Sequence, residues 1–385
     1  MRNLFYFPLE SVKSRYTAQL GGEWMPDAFS KFPELTYIRV DGVETEPDLR
    51  VGVVLDAVGR GYFSLTQVAN FLEMIREGQV KDNDIVFVQD FWTPGLEAIF
   101  YAIDLYGIDL KFYTMLHAQS VDEYDFTYSM KDWMRWYELG FDSRLSGIFV
   151  ASTIHKEQLR AAGFKAPIQV VSLPISYGLV SAKIKCIAKQ DKVVYCSRLD
   201  NEKNPFFMLA VAKRFLKAYP GWKWYITTSS AQLKSNIPDF VQLVRKKANQ
   251  IEGLIIKEGL SKEEYYQELG EARFVFNSSL QDYVSWTLLE ACIAGCDLVY
   301  PDFRSFPECI SSPGNRYRPF DVDSALQVFS SIIDNMAYTR HNDIALLSSV
   351  GRLFEVYVMV NDITEEYNIW HQAELIGTLL LKSGV

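Results

Sequence analysis

The chain has 385 residues, of which 49% are hydrophobic and 23% charged, and its formal net charge is -9. This length supports two domains with separate cores, and the acidic balance excludes a global nucleic-acid-binding surface while leaving room for a local basic strip. No uninterrupted apolar run reaches bilayer-spanning length, and the opening Met-Arg-Asn-Leu-Phe-Tyr-Phe-Pro is too short and aromatic for a signal peptide, so a cytoplasmic protein without a transmembrane segment is expected.

The first half alternates β-rich runs with amphipathic stretches. Leu4–Phe7, Tyr37–Val40 and Val51–Leu55 read as strands, and Phe63–Glu77 has apolar residues at helical spacing. A buried strand Asp84–Val88 runs into Asp90, Trp92 and Thr93, and helix Leu96–Tyr106 ends at Gly107. Strand Lys111–Leu116 ends on His117, followed by an acidic, aromatic loop. Met130–Leu139 reads as a helix, Gly147–Ala151 as a strand, and Ser152 or Thr153 as the cap of helix Lys156–Ala162, with His155 on its surface. Ile168–Ser172 completes the series, and Leu173–Gln190, with Pro174 and Gly178, reads as a hinge.

A second alternation follows. It comprises Lys192–Cys196, helix Phe206–Ala218, Trp222–Thr227, helix Asp239–Asn249, Leu254–Lys257, helix Lys262–Leu269, Phe274–Asn277, helix Ser285–Ala294 and Leu298–Tyr300, with about three helices after Val322. Strands separated by helices imply parallel sheets covered on both faces. The expected fold is α/β, with two doubly wound Rossmann-like domains facing across a cleft that binds ligand at the carboxyl ends of the strands. Residues 1–180 form the first domain, 181–360 the second, and 361–385 a helix packing back toward the first.

Two groups of residues carry chemistry. Arg198 and Lys203 follow a strand and suit a diphosphate, Arg as a planar fork of donors and Lys as a mobile point charge. Asp282 belongs to the loop before a helix whose start, at Ser285 and Thr287, offers backbone N–H groups to phosphate. Glu290 lies mid-helix among apolar neighbours, so its carboxylate needs a hydrogen-bonding partner, either ribose hydroxyls or a protein donor. A site of this composition could hold a sugar nucleotide. Cys186, Cys196, Cys292, Cys296 and Cys309 point to a reducing compartment. Neither Cys292 and Cys296 nor the four histidines have a complete metal-binding pattern, and no metal site is expected.

The order strand, Ser-Arg-Leu-x-x-x-Lys, then acid-x7-Glu running into Ala-x-x-x-Gly and Val-x-x-Pro-Asp, resembles the GT4-type retaining glycosyltransferases of the GT-B fold across about residues 190–310. The resemblance implies donor-diphosphate contacts for Arg198 and Lys203, a place facing the transferred sugar for Asp282, and ribose contacts for Glu290. It also implies a donor-sugar contact for His117. The implied chemistry is metal-independent transfer of a sugar from a nucleotide-sugar co-substrate to a hydroxyl acceptor, with no cofactor. The family's usual Glu-Gly-Phe-Gly is here Asp282-Tyr283-Val284-Ser285, which points away from the commonest hexose donors and allows a pentose. Lys13 and Arg15 either replace the glycine contacts to the donor phosphate that the family has in this loop or touch an anionic acceptor, and with Asp90 and Trp92 they are assigned to the acceptor side, the acceptor being a glycan or a hydroxymethylated pyrimidine in viral DNA. A non-catalytic nucleotide-sugar or glycan-binding protein is the rival of another class, and a phosphosugar isomerase or epimerase a third.

Overall fold

The expected alternation becomes two six-stranded sheets. The computed structural model describes residues 2–12, 16–30, 32–45, 57–116, 120–171, 173–185, 188–309 and 313–339. Contacts divide the chain into one unit reaching Pro174 and another beginning at Ile175.

The first sheet contains β1 (Arg2–Phe7), β2 (Leu35–Arg39), β3 (Ile85–Val88), β4 (Lys111–Met115), β5 (Gly147–Val150) and β6 (Ile168–Val170), in the order β2-β1-β3-β4-β5-β6. Every pairing is parallel. β3 and β5 bury all their side chains, as strands covered on both faces must. Helix Ala57–Arg76 covers one face, with Phe71 meeting the edges of Phe5 and Phe7 at centroid distances of 5.1 and 5.3 Å.

The second sheet contains β7 (Gln190–Tyr195), β8 (Lys223–Thr227), β9 (Leu254–Lys257), β10 (Ala272–Phe276), β11 (Asp297–Pro301) and β12 (Arg316–Tyr317), in the order β12-β11-β10-β7-β8-β9, again wholly parallel. Numbered from its own first strand, this is the 3-2-1-4-5-6 order of a dinucleotide-binding sheet read in reverse, with its switch point between β7 and β10. The core joins Trp224, Phe274 and Phe276 to Phe215 of helix Pro205–Ala218 and Phe329 of helix Val322–Thr339.

Several expectations are corrected. His155 is fully buried, because helix Thr153–Ala161 turns His155 and Leu159 inward one turn apart, with Ser152 as its cap. The expected hinge contains helix Tyr177–Lys183, and the loop after β1 contains a helical run over Tyr16–Phe29 with a π turn at Leu20–Trp24. Trp24 lies in the core, Trp92 is partly buried, and Trp133 and Trp136 are exposed. The expected strand Val51–Leu55, His341, His371 and the terminal helix lie outside the described residues. Among the described residues, no helix is long and apolar enough to cross a membrane.

Candidate functional site

The loop after β7 begins at Cys196 and folds into a single 3-10 turn, Asn201–Lys203, before Pro205 opens the next helix. Proline suits that position because its fixed φ is helical and its missing N–H is not needed. Asp200 occupies the position expected of a cap, yet its Oδ1 accepts from Asn236 N–H at 2.8 Å, a bond across to another loop. Tyr195 Oη and Ser278 Oγ donate to the Lys203 carbonyl at 3.2 and 2.7 Å, and Leu280 N–H donates to Glu202 O at 2.8 Å. The loops after β7 and β10 are thereby joined at the switch point.

This geometry separates the two cations. Arg198 is exposed, with Nη1 at 2.5 Å from Asp200 Oδ2 and Nη2 at 2.8 Å from Glu202 Oε1. Lys203 is 7% exposed. Its ammonium donates to Ser279 Oγ at 3.1 Å, the Gln281 carbonyl at 2.8 Å and Asp282 Oδ1 at 3.0 Å, which commits all three of its hydrogens. A diphosphate reaching Lys203 therefore has to replace one of these acceptors, whereas Arg198 keeps N–H groups to spare.

Asp282 lies before the helix, as expected, and its carbonyl accepts from Ser305 Oγ at 2.9 Å. Ser285 stands at the cap position of helix Trp286–Ile293 without making a side-chain cap, and its Oγ is 3.0 Å from Thr287 Oγ1. Gly295, at φ +69°, turns that helix sharply into β11, a left-handed conformation that favours glycine. Glu290 is 3% exposed and accepts from Lys262 Nζ at 2.6 Å, Tyr266 Oη at 3.0 Å and Tyr265 Oη at 2.9 Å. These three donors went unnoticed in the sequence. The signal was present: Ser261 and Glu264 form a capping box, and Lys262, Tyr265 and Tyr266 stand three and four residues apart on one helical face. Cys196 is beside them, with Tyr265 Oη 3.9 Å from its sulfur, and burial pushes its thiol up to about 12.

In the first unit, Asp90 and Trp92 follow β3, adjacent to the β1–β3 switch point. Trp92 N–H donates to Asp90 Oδ1 at 3.2 Å, and the Trp92 ring meets Trp133 and Tyr137 edge-on at 5.4 and 5.0 Å. Burial pushes the Asp90 carboxyl from 3.8 up to about 6, against the pull of Arg60, and burial raises Asp125 to about 6 as well. An acid whose folded pKa is raised contributes stability that is complete below its unfolded pKa and lost as pH climbs through the folded one. Relative to the parent, Asp90→Asn should therefore gain stability between pH 4 and 7, read as melting temperature; a flat difference would remove Asp90 from the titrating set. His117, Lys13 and Arg15 lie outside the described residues. Among the described residues, no three His, Cys, Asp or Glu side chains gather as a metal site. A surface depression of about 440 Å³, lined by Ile108, Lys111 and Arg144 among others, lies at the opposite, amino-terminal end of β4.

No family model and no curated protein sequence matches the chain. Solved structures do. Sucrose-phosphate synthase from Thermosynechococcus elongatus aligns with a TM-score of 0.69 at 12% identity, covering 99% of both chains. A glycosyltransferase from Rickettsia africae aligns at 0.66 and 11%, covering 99% of this chain and 98% of its own. Anabaena HepE in complex with UDP-glucose aligns at 0.64 and 11%, covering 99% and 100%. The fold is GT-B. Each unit is one of its Rossmann-like domains, and the likeness, at this identity, is one of fold with glycosyltransferases that include a UDP-glucose complex.

Proposed function

We propose that the protein is a retaining glycosyltransferase that moves a sugar from a nucleotide donor to a hydroxyl acceptor without a metal ion. In this reading the second unit holds the donor and the first unit the acceptor. The observation that carries it is the Lys203–Asp282 pair, which closes the switch point of a nucleotide-binding sheet order with a cation and an acid together. As the bond from the anomeric carbon to the diphosphate oxygen breaks, negative charge grows on the leaving group. Lys203, the spare donors of Arg198 and the N–H groups at Ser285–Thr287 stabilise that charge. The acceptor oxygen bonds to the anomeric carbon from the same face, and the departing phosphate oxygen takes its proton. Asp282, steered by Lys203, faces the transferred sugar, and Glu290 receives the ribose beside Tyr265 and Lys262. Free thiols at Cys196, Cys292 and Cys296 fit work in the cytoplasm.

The direct test offers labelled nucleotide sugars, pentoses included, and weighs the products formed on simple glycans and on hydroxymethylated DNA. Asp282→Asn is expected to lower transfer by about 100-fold while leaving affinity for the bare nucleotide within a few-fold. Glu290→Gln should weaken the nucleotide itself by about tenfold. Equal losses of both quantities in both variants would end this division of roles. Binding without turnover of any donor would favour a non-catalytic nucleotide-sugar protein, and turnover of donor without transfer an isomerase or epimerase.

A further inference from the structure

Arg60 stands in the first turn of helix Ala57–Arg76 and is 5% exposed. Its Nη2 donates to the Trp92 carbonyl over a long 3.4 Å, and its Nη1 has no hydrogen-bond partner. The carboxylates acting on it, Asp90 and Glu10, do so through space. Glu10 already accepts from Thr45 N–H at 3.4 Å and Thr45 Oγ1 at 3.1 Å. A buried guanidinium with an unused donor is costly, because water has been removed and nothing has replaced it. Such a group at the carboxyl end of a parallel sheet is a donor awaiting a ligand.

The surroundings decide the ligand's chemistry. One arginine faces two carboxylates, so a phosphate or carboxylate would enter against a negative surplus. A hydroxyl fits better, since it accepts from the guanidinium and donates to a carboxylate at the same time. Asp90 is partly exposed and has one oxygen engaged by Trp92 N–H, which leaves lone pairs for that bond. Trp92, packed against the exposed Trp133, adds an apolar face of the kind that sugar C–H groups cover. We propose that the carboxyl end of the first sheet binds a neutral sugar, one hydroxyl of which accepts from Arg60 Nη1 and donates to Asp90. The proposal rests on the first unit's being the acceptor side, and it commits that side to a neutral glycan over DNA.

The test is donor-free binding of neutral methyl glycosides of gluco, galacto, manno and xylo configuration, followed by saturation-transfer NMR and calorimetry. At least one should bind saturably. Arg60→Met, Arg60→Lys and Asp90→Asn should each weaken it by about tenfold or more, the loss expected for a hydrogen bond to a charged group. Arg60→Lys keeps the charge and loses the fork, so it reads the site even if Arg60→Met folds poorly. Affinity for UDP and GDP, measured on the same samples, should not change; failure to bind any nucleotide would sink the donor assignment without touching this one. Absence of glycoside binding, or equal binding by all three variants, would overturn the proposal. So would Arg60-dependent binding of glucuronate, inorganic phosphate or a hydroxymethylcytosine oligonucleotide, each of which would mark an acidic acceptor.

Discussion

Lys203→Met is expected to cost about 3–5 kcal/mol of stability, because it strands the Asp282 carboxylate and frees the Ser279–Asp282 loop from its anchor. Arg198→Ala, at an exposed group shared by two acids, should cost about 1 kcal/mol or less. In the proposed reading, nucleoside-diphosphate affinity should follow the same ranking, since Lys203 also holds the Ser279–Asp282 loop in place. The double variant Lys203→Met/Asp282→Asn should recover part of the stability loss, as it removes the stranded charge along with its partner. Urea titration and calorimetry measure the two effects. Equal losses for Arg198→Ala and Lys203→Met would refute the ranking.

The second large effect belongs to a cluster remote from the proposed chemistry. Lys192 Nζ is 2.8 Å from Glu268 Oε2 and 2.9 Å from Glu271 Oε2, and Lys257 Nζ reaches Glu268 Oε1 at 2.5 Å. Lys192 and Lys257 also lie over the Tyr225 ring at 4.6 and 4.8 Å. Lys192→Ala leaves the Glu268 and Glu271 carboxylates in a largely buried place, with the part-exposed Lys257 paired to Glu268. A melting-temperature drop on the order of 10 °C is expected, from about 3–5 kcal/mol for breaking a buried pair and a few degrees per kcal/mol at this domain size. Scanning calorimetry checks it, and a drop under 3 °C would mean that the cluster is solvated and contributes little. Affinity for nucleotide should survive the change at temperatures where the variant is folded.

The sheets were legible because their strands are short β-branched or aromatic runs with turn residues at both ends, and the alternation with amphipathic helices leaves few other folds. The motif around Arg198, Lys203, Asp282 and Glu290 was legible because its parts share a strand-loop-helix setting. What the residues hold on to was not. Nothing in the spacing says that Lys203 spends its hydrogens on the loop after β10, since those bonds depend on the parallel pairing of β7 with β10. His155 was misplaced because a polar residue early in a helix reads as surface unless the face of the sheet it meets is known. Arg60 escaped notice for the opposite reason: a lone arginine at a helix start looks solvated until burial is measured.

Lys203 and Asp282 are 79 residues apart in the chain. On the ribosome, at roughly 5–20 residues per second, the lysine emerges some 4–16 seconds before its partner is made. Until β10 is made, β7 has only β8 to pair with, and the loop that supplies Lys203 with its three acceptors does not yet exist. The loop around Lys203 thus cannot be finished before β10 joins the sheet, so in the proposed reading the donor site is completed only late in the synthesis of the second unit.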